Sequence, residues 1–198
     1  MSQAWDENTL EVAFDALHEA TGKRDVDEAN RLAHLIRSSV QRHRLSLAGF
    51  VDAAWGELED AVCVGAAVAM FDALTAHARQ TDDLTLFRRL LANRYAEKAL
   101  ATAGNAALPP AFVTALVDTA RAATPQYRYA ACMLLSNQER LFKLDLPKMG
   151  LYIQMIMDDE VKKKSINPYA KGEIEKLIKS YNDMIGAANR LTFSKAMK

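Results

Sequence analysis

The chain has 198 residues, of which 50% are hydrophobic and 25% charged, enough to bury a core in one domain or in two small ones. Its 25 basic and 25 acidic side chains balance, which argues against a general electrostatic attraction to nucleic acid or to an anionic membrane. No stretch reaches the roughly 18 consecutive apolar residues of a membrane span. The acidic N-terminus lacks the apolar segment of a signal peptide. We therefore expect a cytoplasmic protein with no membrane partner.

Helical periodicity runs through the chain, and nowhere do β-branched and aromatic residues alternate over six positions as a strand requires. The first helix is predicted over Asn8–Thr21, with Gly22 as its C-terminal cap. Asp25 is predicted to cap the second helix, with Glu28 at the spacing of a capping box.

The middle of the chain predicts three further helices. Ser46 is expected to open the third helix, and Gly65 to mark a break, or a close packing contact, before the fourth. Asp82 or Asp83 is expected to cap a fifth helix that continues through Tyr95 and ends at Gly104 and Asn105. Later starts are predicted at prolines or just before them, near residues 109, 125, 147 and 168.

Short loops between these helices predict an all-α fold. The favoured architecture is a compact multi-helix bundle of about eight or nine helices. The alternative is a short α-solenoid of helical hairpins, because three helix starts are spaced by about 37 residues. No recurring signature residues accompany that spacing, which favours the bundle.

The composition changes near residue 140. Residues 1–140 contain 12 Arg and 2 Lys against 18 acidic residues, whereas residues 141–198 contain 1 Arg and 10 Lys against 7. Alanine falls from 30 residues to 4 across the same boundary. This predicts an Ala/Arg-rich acidic helical body over 1–140 and a Lys-rich C-terminal helical hairpin over 141–198, or one single domain over 1–198.

Motifs for common catalytic and cofactor chemistry do not occur: the phosphate-binding glycine loops, G-x-S-x-G, H-E-x-x-H and C-x-x-C are all missing. Glu11, Asp15 and His18 share one side of the first helix, but no second copy would complete a di-metal site. Cys63 and Cys132 lie in apolar surroundings and are predicted to be buried hydrophobes. We predict no catalytic residue, metal or cofactor.

An apolar segment suggests how the chain works. Residues 149–157 read MGLYIQMIM, apolar around most of a helix, which favours either the centre of a core or a partner interface. The leading hypothesis is a non-enzymatic subunit of a larger assembly, docking to other proteins or to itself. The predicted interface residues are Met149, Tyr152, Ile153, Met155 and Ile156.

The alternative hypothesis is a nucleic-acid-binding subunit that contacts the phosphate backbone of RNA or single-stranded DNA. The residues predicted for that role are Lys162, Lys163, Lys164, Lys171, Lys179, Arg88 and Arg89. A third class, an enzyme with an unfamiliar site, would need an enclosed polar pocket that holds a histidine and a carboxylate within hydrogen-bond reach.

Overall fold

The computed structural model describes residues 7–102 and 108–124 together with nine single helical positions. Those positions are Tyr127, Ala130, Ala131, Leu134, Gly172, Glu175, Lys176, Ile178 and Lys179. All regular structure in this described part is helical, which confirms the all-α class. The chain divides into two compact units, Met1–Ala99 and Leu100–Lys198. The predicted boundary near residue 140 lies outside the described residues and stays a prediction.

Seven helices have described bounds. They are α1 (Glu7–Lys23), α2 (Val26–His43), α3 (Val51–Glu59), α4 (Val64–Thr81), α5 (Leu84–Leu91), α6 (Ala96–Thr102) and α7 (Pro110–Ala122). Within the described ranges, no helix is both long enough and apolar enough to cross a membrane.

Three predicted helix starts are confirmed. The Asp25 carboxylate accepts the Glu28 amide N–H at 3.1 Å and caps α2, and Asp83 accepts the Leu86 amide at 2.9 Å and caps α5. Pro110 occupies the first turn of α7, where its missing N–H costs nothing.

The predicted end of the first helix is wrong, because α1 continues through Gly22 to Lys23. The left-handed residue is Arg24, with φ 56°. Its N–H donates to Thr21 O at 3.0 Å, and the next N–H, that of Asp25, donates to Ala20 O at 2.9 Å. These two bonds satisfy the last carbonyls of α1 without glycine.

Two other predicted boundaries are also wrong. Ser46 does not open α3, since a turn closed by the Phe50 N–H to Leu47 O bond of 2.7 Å precedes the helix. The predicted fifth helix stops at Leu91, because the Asn93 side chain accepts the Tyr95 N–H at 2.9 Å and forms a turn.

Gly65 lies inside the first turn of α4 and marks close packing rather than a break. A Cβ atom there would stand 2.3 Å from Asn30 Oδ1. The neighbouring Cys63 is half-buried and caps α4, its Sγ accepting the Ala66 N–H at 3.4 Å. The prediction that Cys63 is a buried hydrophobe is therefore corrected, and Cys132 lies outside the described residues.

Equivalent helices of the first two hairpins lie side by side and run in the same direction. Between α2 and α4, Arg37 Nη1 is 3.3 Å from Asp72 Oδ2, and further along both helices Gln80 Nε2 donates to Val40 O at 3.3 Å. Between α1 and the start of α3, the Phe14 and Phe50 rings stack with centroids 5.4 Å apart. The α1–α2 hairpin thus stacks on the α3–α4 hairpin.

We expect Asp25→Ala to lower the free energy of unfolding by about 1 kcal/mol, since it removes the acceptor that caps α2. Urea unfolding of the full chain measures this. Asp27→Ala is the matched control, because Asp27 is an exposed acid in the first turn of the same helix. It should lose only a few tenths of a kcal/mol from the helix dipole. Equal losses in both variants would contradict the capping role of Asp25.

Candidate functional site

An open groove lies where α3 meets the end of α5. Its volume is about 470 Å³. Its lining residues are Trp55, Glu59, Arg89, Ala92, Asn93 and Arg94. We call it the α3–α5 groove. All of its residues belong to the first compact unit.

The base of the groove is a tryptophan covered by an arginine. The guanidinium carbon of Arg89 lies 3.7 Å from the ring centroid of Trp55, a cation–π contact. Trp55 Nε1 donates to Glu59 Oε1 at 2.8 Å, one turn along α3, so the indole ring is fixed from two sides. Trp55 is only 7% exposed, whereas Arg89 is exposed.

A second arginine closes one end of the groove. The Arg94 guanidinium donates to the carbonyl oxygen of Glu59, the last residue of α3, where positive charge complements the helix dipole. It also lies 4.8 Å from the Tyr95 ring centroid. The turn held by Asn93 sets this position, because that turn ends α5 and redirects the chain toward α3.

Arg89 pairs with no carboxylate among the described residues, and the carboxylate oxygen Glu59 Oε1 accepts from Trp55. A guanidinium that rests on an indole ring and is otherwise exposed has N–H groups available for an outside acceptor. Planar, bidentate contact with a carboxylate or a phosphate is the chemistry that this side chain performs best. The groove therefore suits the binding of an anionic group.

The structure describes three of the residues predicted for nucleic-acid binding. Arg88 and Arg89 are both exposed at the end of α5, but only Arg89 lines the groove. Lys179 is an exposed helical residue of the second unit. Nine predicted residues lie outside the described part: Met149, Tyr152, Ile153, Met155, Ile156, Lys162, Lys163, Lys164 and Lys171.

Sequence reasoning missed Trp55, Glu59 and Asn93, and it did not place Arg94 in a site with them. The predicted spacing of helix starts by about 37 residues pointed to stacked hairpins, but the starts of α1, α3 and α5 at Glu7, Val51 and Leu84 do not keep that spacing. No local motif joins these four positions.

The structure brings one histidine close to a carboxylate. His18 Nδ1 is 2.9 Å from Glu57 Oε1, and the Thr21 hydroxyl donates to Glu57 Oε2 at 2.7 Å. Glu57 is buried, but the side chain of His18 is 86% exposed. This cluster joins α1 to α3 and is not the enclosed pocket that an acid–base site would need.

The Glu11, Asp15 and His18 side of α1 is exposed, but His18 pairs across to α3. Among the residues that the structure describes, no group of three or more His, Cys, Asp or Glu side chains could hold a metal ion. The buried His77 has a structural role: its Nδ1 accepts the Leu47 N–H at 3.3 Å. Burial lowers the pKa of His77, which Asp83 partly opposes, and this favours the neutral acceptor.

A second polar cluster lies between α2 and α4. Burial raises the pKa of Asp72 from its ordinary 3.8 to about 6, although Arg37 pulls it down. One turn and two turns further along α4 are Thr75 and Arg79, and burial lowers the pKa of Arg79. Arg37 Nε, Thr75 Oγ1 and Arg79 Nε are buried without a hydrogen-bond partner from any described residue.

Comparisons with known proteins give no relative: the chain matches no known family, no curated protein and no solved structure. A function for this chain therefore rests on the geometry described above.

We expect the stability of the wild type relative to Asp72→Asn to fall by about 3 kcal/mol as pH rises from about 3 to about 7. The direction of this change follows from the raised pKa of Asp72 in the folded state. The folded state holds the proton more tightly than the unfolded state, so the contribution of Asp72 to the free energy of unfolding is greatest at low pH. Denaturant unfolding at several pH values measures this. Arg37→Gln should move the fall to higher pH, because it removes the opposing charge. A pH-independent difference would contradict the assignment.

Proposed function

We propose that this chain is a non-enzymatic helical subunit of a larger assembly that acts by docking to other proteins. The supporting observation is a recurring separation of between 33 and 40 residues between contacting positions of the first two hairpins. Thr21 contacts Glu57 at a separation of 36 residues, and Arg37 contacts Asp72 at 35. Arg94, in the turn that follows α5, contacts the Glu59 carbonyl at a separation of 35 residues, and Arg89 of α5 contacts Trp55 of α3.

This offset favours the solenoid alternative over the bundle. When equivalent helices of successive hairpins pack in parallel, each hairpin contacts mainly its neighbours and the array extends in one direction. Such arrays present long continuous surfaces, and proteins use these surfaces to bind partners. A stack of hairpins is thus a scaffold for docking, and it needs no enclosed catalytic pocket.

The side chains of the α3–α5 groove also support docking. Tryptophan, tyrosine and arginine are the residues that dominate binding energy at protein interfaces. Trp55, Arg89 and Arg94 line this groove, and Tyr95 contacts Arg94 beside it. The apolar segment over residues 149–157 stays a predicted second contact, because its residues lie outside the described part.

A nucleic-acid-binding subunit is the second candidate. The observation that favours it is Arg89, which is exposed and pairs with no carboxylate in the described part of the chain. Arg88 and Lys179 are exposed too. Phosphate contacts by such side chains would give an affinity that falls steeply with salt.

We expect the full chain, purified from its native cells after nuclease treatment and a high-salt wash, to have a light-scattering mass well above 21.9 kDa. Ile153→Asp should weaken this assembly by roughly thirtyfold or more, the effect of an interface residue that contributes about 2 kcal/mol. Gln154→Asp is the matched control, since it adds the same charge at a polar position of the same segment. It should leave the mass unchanged.

A mass of one chain under these conditions would contradict the docking proposal. A higher mass that appears only with added single-stranded RNA, and is lost at high salt, would favour the second candidate. Equal effects of Ile153→Asp and Gln154→Asp would contradict the prediction that residues 149–156 form the interface.

A further inference from the structure

We propose that the α3–α5 groove binds the carboxylate of an acidic segment in a partner protein, with Arg89 as the residue that holds it. This inference rests on the docking function proposed above and names the chemistry of the partner. It assigns a ligand class to the one described groove in which an arginine without a carboxylate partner lies on a buried tryptophan.

The geometry of Arg89 prepares it for a carboxylate. The indole of Trp55 supports one face of the guanidinium, and that indole is in turn fixed by its bond to Glu59. The arginine therefore loses little side-chain freedom when a ligand binds, and its planar N–H edge matches the two oxygens of a carboxylate. A lysine ammonium would supply the charge without this fork.

Arg94 places a second positive charge at the end of the groove. Its guanidinium already bonds the Glu59 carbonyl, so its position is set before any ligand arrives. The groove volume of about 470 Å³ lies within the range typical of ligand sites. One acidic side chain with its flanking backbone would be held between the two arginines.

The mixed charge of the groove favours a peptide over a nucleic acid. The exposed carboxylates of Glu59 and Asp60 lie at the same end of α3, and a partner must meet them with hydrogen-bond donors, which a phosphodiester backbone lacks. A peptide backbone carries N–H donors as well as acidic side chains, so it can satisfy Glu59 and Arg89 together. Nucleic-acid binding also needs several cations along a path, whereas this groove has two arginines.

The test uses Trp55 as its own reporter. The chain has two tryptophans, Trp5 and Trp55, so Trp5→Phe leaves the groove residue as the sole indole. We expect a saturable change of its fluorescence when the full chain is titrated with a blocked peptide of alternating glutamate and glycine. A peptide of alternating glutamine and glycine, and a short oligodeoxythymidylate, should give no saturable change.

Substitutions at the adjacent arginines distinguish a specific contact made by Arg89 from a general effect of positive charge. Arg89→Gln should weaken the acidic peptide roughly tenfold or more, the effect of losing a charged, bidentate hydrogen-bond partner. Arg88→Gln is the matched control, since it removes the same charge from an exposed neighbour outside the groove. Its affinity should stay within about twofold of the parent chain. Arg89→Lys keeps the charge and should still lose several-fold. Unchanged urea midpoints would show that the variants remain folded.

Four results would overturn the inference. They are the absence of a saturable response to the acidic peptide, equal weakening by Arg88→Gln and Arg89→Gln, wild-type affinity in Arg89→Lys, and a response to the oligodeoxythymidylate alone. The last would favour a nucleic acid. If the peptide fails while the purified assembly keeps its high mass, the groove assignment is wrong and the docking function stands. If the peptide binds while the purified chain has the mass of one copy, the docking function loses its support independently.

Discussion

The burial of α4 is the constraint on which the first unit depends. Helices α2, α3 and α5 all pack against it, so most of its circumference is buried. Six of its ten buried residues are alanines, and such small side chains let neighbouring helix backbones approach closely. Gly65 is the extreme case, because the Asn30 side chain occupies the space that its Cβ would need. Because α4 is enclosed in this way, the two hairpins are fixed relative to each other. Contacts between them therefore join residues about 35 positions apart in the sequence.

Short connections preserve that offset along the chain. Three residues, Arg24, Arg44 and Asp82, take the left-handed conformation at the ends of α1, α2 and α4, with φ between 54° and 56°. A non-glycine residue in this region costs roughly 1 kcal/mol, and stable packing on both sides offsets that cost. Two of these helices are followed at once by an aspartate that caps the next, so the chain reverses within two residues.

Local signals in the sequence predicted what is local in the structure. Capping by Asp25 and Asp83, and the start of α7 at Pro110, follow from side chains that act within one turn. Gly22 does not end α1, because a helix that ended there would lose the two hydrogen bonds that the Arg24 and Asp25 N–H groups donate. The break after Leu91 is formed by a turn whose backbone bonds and Asn93 side-chain bond a hydrophobic pattern does not register. The groove could not be predicted, since Trp55 and Arg89 meet only through the stacking of hairpins.

The two junctions made by α3 differ in what they leave unsatisfied. Toward α1, Glu57 is buried and both of its carboxylate oxygens are used, one by His18 and one by Thr21. Toward α5, the corresponding contact places a cation on an aromatic ring, so the charge is held in position while its N–H groups stay available. The first arrangement joins two helices and leaves neither carboxylate oxygen of Glu57 unpaired. The second joins α3 to α5 and still leaves the N–H groups of Arg89 available to solvent, which is the physical difference on which the proposed binding role depends.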